Sequence, residues 1–166
     1  MFDNLFNKKE KPAGQWINGK FIPAPASAPV TELSSNYGFT VAGTNYRMDN
    51  VIRLATPMKK WDMSNEQLLA KYPGKKIYRY YFVTEPVQLV LEPTNPQDPN
   101  AIMVLINNIH VGYVPSDCCS TVSRYMSTGH ISLSAKVSGG EYKIVYNDGQ
   151  SAVFSDPVSI SVYISL

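Results

Sequence analysis

From Val158 onward the chain alternates apolar and polar side chains, with Val158, Ile160, Val162 and Ile164 on one side and Ser159, Ser161, Tyr163 and Ser165 on the other. A period of two predicts a strand with one buried face. Other strand-like runs precede it: residues 38–43, broken by Gly43, then 76–83, 86–93, 101–106, 109–114, 131–137, 141–146 and 151–154. Asn107-Asn108 between two apolar runs reads as a hairpin turn, Asn147-Asp148-Gly149 as another, and Glu85-Pro86 as a corner. Two stretches switch to a helical period. Ser64-Asn65-Glu66-Gln67 ahead of Leu68 and Leu69 is a capping-box pattern, so a short helix is expected near 64–71, stopped by Pro73-Gly74. Cys118, Val122, Tyr125 and Met126 share one helical face, with Ser116 as the expected N-cap and Gly129 as the expected stop. The result is a mainly β chain with one or two short helices.

The pattern is weaker at the start. Phe2, Leu5 and Phe6 ahead of Lys8, Lys9 and Lys11 would suit a short amphipathic helix touching a membrane or partner, or a fraying end. Asn18-Gly19 reads as a tight turn between two aromatic-containing stubs, and residues 23–29 as an extended Pro/Ala spacer. We therefore expect residues 1–36 to form a flexible N-terminal segment and residues 37–166 to form one folded domain.

Composition sharpens this picture in two places. Hydrophobic residues make up 44% of the chain and charged residues 17%, which is enough for one core without cross-links. The overall charge of +2 hides an asymmetry: residues 47–79 carry eight basic and three acidic side chains, whereas residues 80–166 carry three and seven. The basic stretch also contains Trp61, Tyr72 and Tyr78, with Tyr80 and Tyr81 just beyond. Basic residues interleaved with aromatics suit a groove for single-stranded nucleic acid. They equally suit a half-buried element flanking a sheet.

One stretch is specific enough to carry a family name. Leu89-Val90-Leu91-Glu92-Pro93-Thr94-Asn95-Pro96-Gln97-Asp98-Pro99-Asn100-Ala101-Ile102 leads into Val104, and Gly112-Tyr113-Val114-Pro115 opens the second helix. Read physically, Pro93 and Pro96 fix φ while Asn95 and Asp98 can satisfy N–H groups of a tight loop. Over about residues 38–145 the pattern resembles the HIRAN domain. The resemblance implies a small OB-like or SH3-like β-barrel, with residues 48–80 as an insertion. It also implies binding of DNA at single-stranded 3′ ends, in a repair or replication-stress setting. By position, Asp98 resembles the carboxylate that accepts from a 3′-hydroxyl, and Asn95 an amide on the last nucleotide. Thr94 stands where other members can have a second asparagine. Tyr46 resembles an aromatic on which the terminal base stacks, flanked by Asn45 and Arg47 where other members have Arg-Tyr-Tyr. Tyr113 stands where a histidine can line the same pocket. The insertion would either extend this pocket or cover it. The alternative function is a protein–protein adaptor barrel that has lost end recognition.

The remaining chemistry is sparse. His110, His130, Cys118 and Cys119 lack metal-ligand spacing, and adjacent cysteines do not form an ordinary disulfide. No Walker loop, nucleophile elbow or HExxH motif occurs. The expectation is a non-enzyme without cofactor or metal, with partner proteins supplying any catalysis. It is expected in the cytoplasm, without stable membrane association.

Overall fold

The computed structural model describes residues 14–17, 20–23 and 32–166. Strands β1 (Gly14–Ile17) and β2 (Lys20–Pro23) pair antiparallel, Ile17 facing Lys20, in a compact unit separate from Leu33–Leu166. The Asn18-Gly19 turn, the amphipathic start and the Pro/Ala spacer lie outside the described residues.

The larger unit runs β3 (Asn36–Thr40), α1 (Met48–Ile52), β4 (Ala55–Pro57), α2 (Asn65–Lys71), β5 (Ile77–Tyr78) and β6 (Tyr80–Phe82). It continues through β7 (Val87–Leu91), β8 (Ile102–Ile106), β9 (Ile109–Tyr113), α3 (Cys119–Ser127), β10 (Ser132–Val145) and β11 (Ser151–Ser165). Short 3₁₀ turns occupy Thr44–Arg47 and Lys59–Asp62. The fold is mainly β, as the alternation predicts.

Sheet order is β3-β11-β10-β5 in one sheet, β7-β8-β9 in a second, and β4-β6 in a short pair. Just past β3, Ala42 exchanges two backbone hydrogen bonds with Tyr113 of β9, at 2.8 and 2.9 Å. That bridge joins the two larger sheets at one side. At the other side, among the described residues, no ladder joins β7 to β10, so the sheets stay open there. A cleft lined by Glu85, Val87, Ile131 and Leu133 marks the gap.

Between the sheets lies the main core, closed at one end by α3. It includes Ile102, Val104 and Ile106 from β8, Val111 from β9, Ile160, Val162 and Ile164 from β11, and Val122 and Tyr125 from α3. Burial of each aliphatic side chain contributes roughly 1.5–3 kcal/mol, so these elements dominate stability. The insertion has a much smaller anchor: Leu68, Ile77 and Val145, with Met63, Leu69 and Tyr72 packed around them. Ser64 and Gln67 close the expected capping box on α2.

Three local readings change. The runs expected as separate strands at 131–137 and 141–146 form one strand, β10, and those at 151–154 and 158–166 form β11. A register shift between Ser138 and Gly140 bends the pair instead of breaking it. Gly139 is required there: at φ 87° its missing Cβ would lie 2.0 Å from the Pro157 carbonyl oxygen. The helix expected from Ser116 begins only at Cys119, because Pro115–Cys118 form a turn that donates Cys118 N–H to Pro115. Finally, α1 is a third short helix that no periodicity announced.

Candidate nucleic-acid interface

The site grows from the Ala42–Tyr113 bridge. Beyond Ala42 the chain turns at Gly43, and the 3₁₀ turn Thr44–Arg47 follows. Thr44 is buried and donates its hydroxyl to the Val41 carbonyl at 3.3 Å, fixing the turn from below. Asn50 of α1 donates its side-chain amide to the His110 carbonyl at 2.9 Å, pinning the end of the turn to β9. Asn45 and Tyr46 project outward. Tyr46 is 88% exposed, although a tyrosine ring loses free energy by facing water. Arg47 folds back. Its guanidinium carbon lies 5.1 Å from the centre of the Tyr113 ring, and Nη2 donates to the Tyr113 hydroxyl at 3.2 Å.

The Tyr113 hydroxyl in turn donates to Glu92 Oε2 at 3.0 Å, and the same oxygen accepts from Asn95 Nδ2 at 2.7 Å. One carboxylate oxygen thus ties β9 to the loop 92–100. Asn95 Oδ1 accepts from the N–H groups of Gln97 and Asp98, and Asp98 Oδ1 accepts from the Asn100 N–H at 2.8 Å. The loop-shaping reading of Asn95 and Asp98 is visible directly in these bonds. Both are half-buried, while Thr94 is exposed. Ala42, Gly43, Tyr46, Arg47, Gln97 and Tyr113 line an open pocket of ≈ 270 Å³. Tyr46, Arg47 and Tyr113 are therefore brought together, and Asn95 and Asp98 shape the loop that carries Gln97 to the rim. None of the lining residues comes from 48–80, so the insertion does not fill the pocket.

Sequence reading missed Glu92, His110 and Gln97. The Asn95 and Tyr113 hydrogen bonds hold the Glu92 carboxyl below the usual glutamate range, with Arg47 and His110 adding to the effect. Burial pushes the His110 imidazole down, and the Arg47 charge adds to this. Its Nε2–H donates to the Gly112 carbonyl at 2.9 Å, and its ring meets Tyr113 edge-on at 4.8 Å. Tyr113 itself is pushed up by burial and by its bond to Glu92.

The depressed Glu92 group makes a testable statement. Stability from the ionised network is fully present above the ordinary glutamate value of 4.5 and is lost as pH falls through the lower folded value. Glu92→Gln should therefore melt earlier than the parent at pH 7, and the gap should narrow below about pH 4. Thermal melts at pH 7 and pH 3 check this; an equal gap at both would remove the charged network as its cause.

The pocket offers a stacking face, a cation and a hydroxyl, the groups that hold a nucleotide's ring and phosphate. Among the described residues, no three His, Cys, Asp or Glu side chains are placed to hold a metal ion. No described helix is long and apolar enough to cross a membrane. No curated protein and no solved structure gives a match. The family model of the HIRAN domain matches residues 34–166, so the pocket, its loop and both larger sheets fall within the matched region. The chain belongs to the HIRAN family of nucleic-acid-binding modules.

Proposed function

We propose that the Tyr46 pocket receives the 3′-terminal nucleotide of a DNA single strand, as exposed during repair or at stalled replication. The observation that carries this reading is the exposed Tyr46 ring lining an open pocket together with Arg47 and Tyr113. The base stacks on Tyr46, Arg47 meets the adjacent phosphate, and the 92–100 loop borders the sugar end. Asp98 accepts from the 3′-hydroxyl, so its charge repels a 3′-phosphate. The module binds and does not catalyse; partner proteins supply chemistry. A second reading, an adaptor that has lost end recognition, draws on Asn95 and Asp98 being engaged within their own loop.

Fluorescence anisotropy with short strands ending in 3′-hydroxyl or 3′-phosphate, and with blunt duplex, separates the two. The end-binding reading expects roughly a ten-fold preference for the hydroxyl end, the scale of one charge-assisted hydrogen bond. Asp98→Asn retains an acceptor for the Asn100 N–H while removing the charge, so the preference should collapse with the fold intact. Equal binding of all three probes by the parent protein would favour the adaptor.

A further inference from the structure

A second surface lies away from that pocket, on the segment leading into β7. Met58, Tyr78, Tyr80, Tyr81 and Phe82 face the β10 bulge at Ser138–Gly139 across a cleft of ≈ 400 Å³. It shares no lining residue with the Tyr46 pocket. Tyr81 is 52% exposed, and Tyr78 and Tyr80 are half-buried. From Tyr78 an aromatic row crosses the sheet. The Tyr78 and Tyr142 ring centres are 5.4 Å apart, and Tyr142 stacks on Phe154 at 5.5 Å. Phe154, at the far end, is 41% exposed. The sequence concentrates rings here and leaves the outermost ones uncovered, which the fold alone does not require.

The surroundings are cationic. Lys76 lies 4.1 Å from the centre of the Tyr142 ring, and Arg79 lies 5.3 Å from that of Tyr80. Asp156 pairs with Lys76 at 2.6 Å and Glu141 with Arg79 at 2.9 Å, so these two cations are already balanced. Lys59, next to Met58 in the chain, is exposed and has no ion pair among the described residues. Exposed rings beside a segment, residues 47–79, that carries eight basic and three acidic side chains match the two faces of a single strand, its unpaired bases and its phosphates. A duplex hides its base faces and offers the cleft no such match.

We propose that this cleft is a second nucleic-acid contact, which takes unpaired bases from the interior of a single strand regardless of how that strand ends. It rests on the nucleic-acid reading above but not on end recognition. A covalently closed thymidine circle isolates it, because a circle has no terminus to offer the Tyr46 pocket. Labelled circle should bind the full chain, and Tyr81→Ala should weaken that binding about five-fold or more. Tyr81→Phe, which keeps the ring, should stay within about two-fold. Lys59→Glu, on an exposed position outside the core, should also weaken it and flatten its salt dependence. On linear strands Tyr81→Ala should lower affinity for both end types equally, leaving their ratio unchanged.

A circle that fails to bind, as expected of a cleft serving a protein partner, overturns the proposal. So does a circle that binds a folded Tyr81→Ala protein and Lys59→Glu as well as it binds the parent. Loss of the hydroxyl-to-phosphate ratio in the parent would instead sink end recognition and leave the circle result standing.

Discussion

Gly112→Ala is expected to lower stability by about 3 kcal/mol, combining overpacking with an unfavourable backbone conformation. Gly112 has φ 153°, and a Cβ there would lie 2.4 Å from the Ala42 carbonyl oxygen and 2.6 Å from Val41 Cγ1. The nearest obstacle is backbone, which cannot rotate aside as a side-chain tip would. The Ala42 carbonyl is also the acceptor for the Tyr113 N–H at 2.9 Å, half of the bridge that joins the two larger sheets. Any shift that relieves the contact stretches this bridge and moves Tyr113 away from Arg47. For a chain of this size the melting temperature should fall by about 6–12 °C. A melt within about 2 °C of the parent would show that the bridge yields easily. The same substitution should weaken nucleic-acid binding, because the pocket is assembled across the bridge. A stability loss with unchanged binding would mean that the pocket tolerates a looser seam.

What the sequence made legible was encoded locally. The alternation of 158–166 put Ile160, Val162 and Ile164 in the core, and the two asparagines at 107–108 take φ 49° and 60°, as their hairpin requires. The Ser64–Gln67 capping box was equally local. What was illegible depended on distant partners. Helix α1 has no side-chain cap and is only five residues long; it is held by Asn50 on the His110 carbonyl and by buried Val51. The runs 131–137 and 141–146 read as separate strands, but the opposing strand continues past the glycines between them, so the pair bends as one.

The site divides the same way. Tyr46, Arg47 and Tyr113 were named through family resemblance, and the fold brings them to one pocket. Glu92 lay inside the same motif, yet its role depends on register. Leu91 pairs with Ile102 and Tyr113 with Met103, which sets Glu92 and Tyr113 on one face, two strands apart and offset by two residues. Nothing within the 92–102 motif specifies the second of those registers.

Tyr46→Ala is expected to weaken binding of a single strand by about 1–3 kcal/mol, the contribution of one base stacked on an aromatic ring. That corresponds to a loss of roughly five- to 150-fold in affinity. The geometry makes this a selective test. The ring is 88% exposed, so its removal uncovers no core surface and the melting temperature should hold within about 1 °C. Its neighbours behave differently. Tyr113 is half-buried and bonded to both Arg47 and Glu92, so any substitution there disturbs the loop as well as the pocket. Tyr46→Trp supplies a larger stacking face at the same exposed position and should bind at least as tightly as the parent. Isothermal titration of parent, Ala and Trp proteins with one short 3′-hydroxyl strand, alongside their melts, distinguishes the causes. If alanine binds like the parent, no base stacks on this ring. If alanine and tryptophan weaken binding equally, the hydroxyl of Tyr46 is the contact and the ring serves only to carry it. The expected order, tryptophan and tyrosine together and alanine well below, follows only when the aromatic face meets the nucleotide.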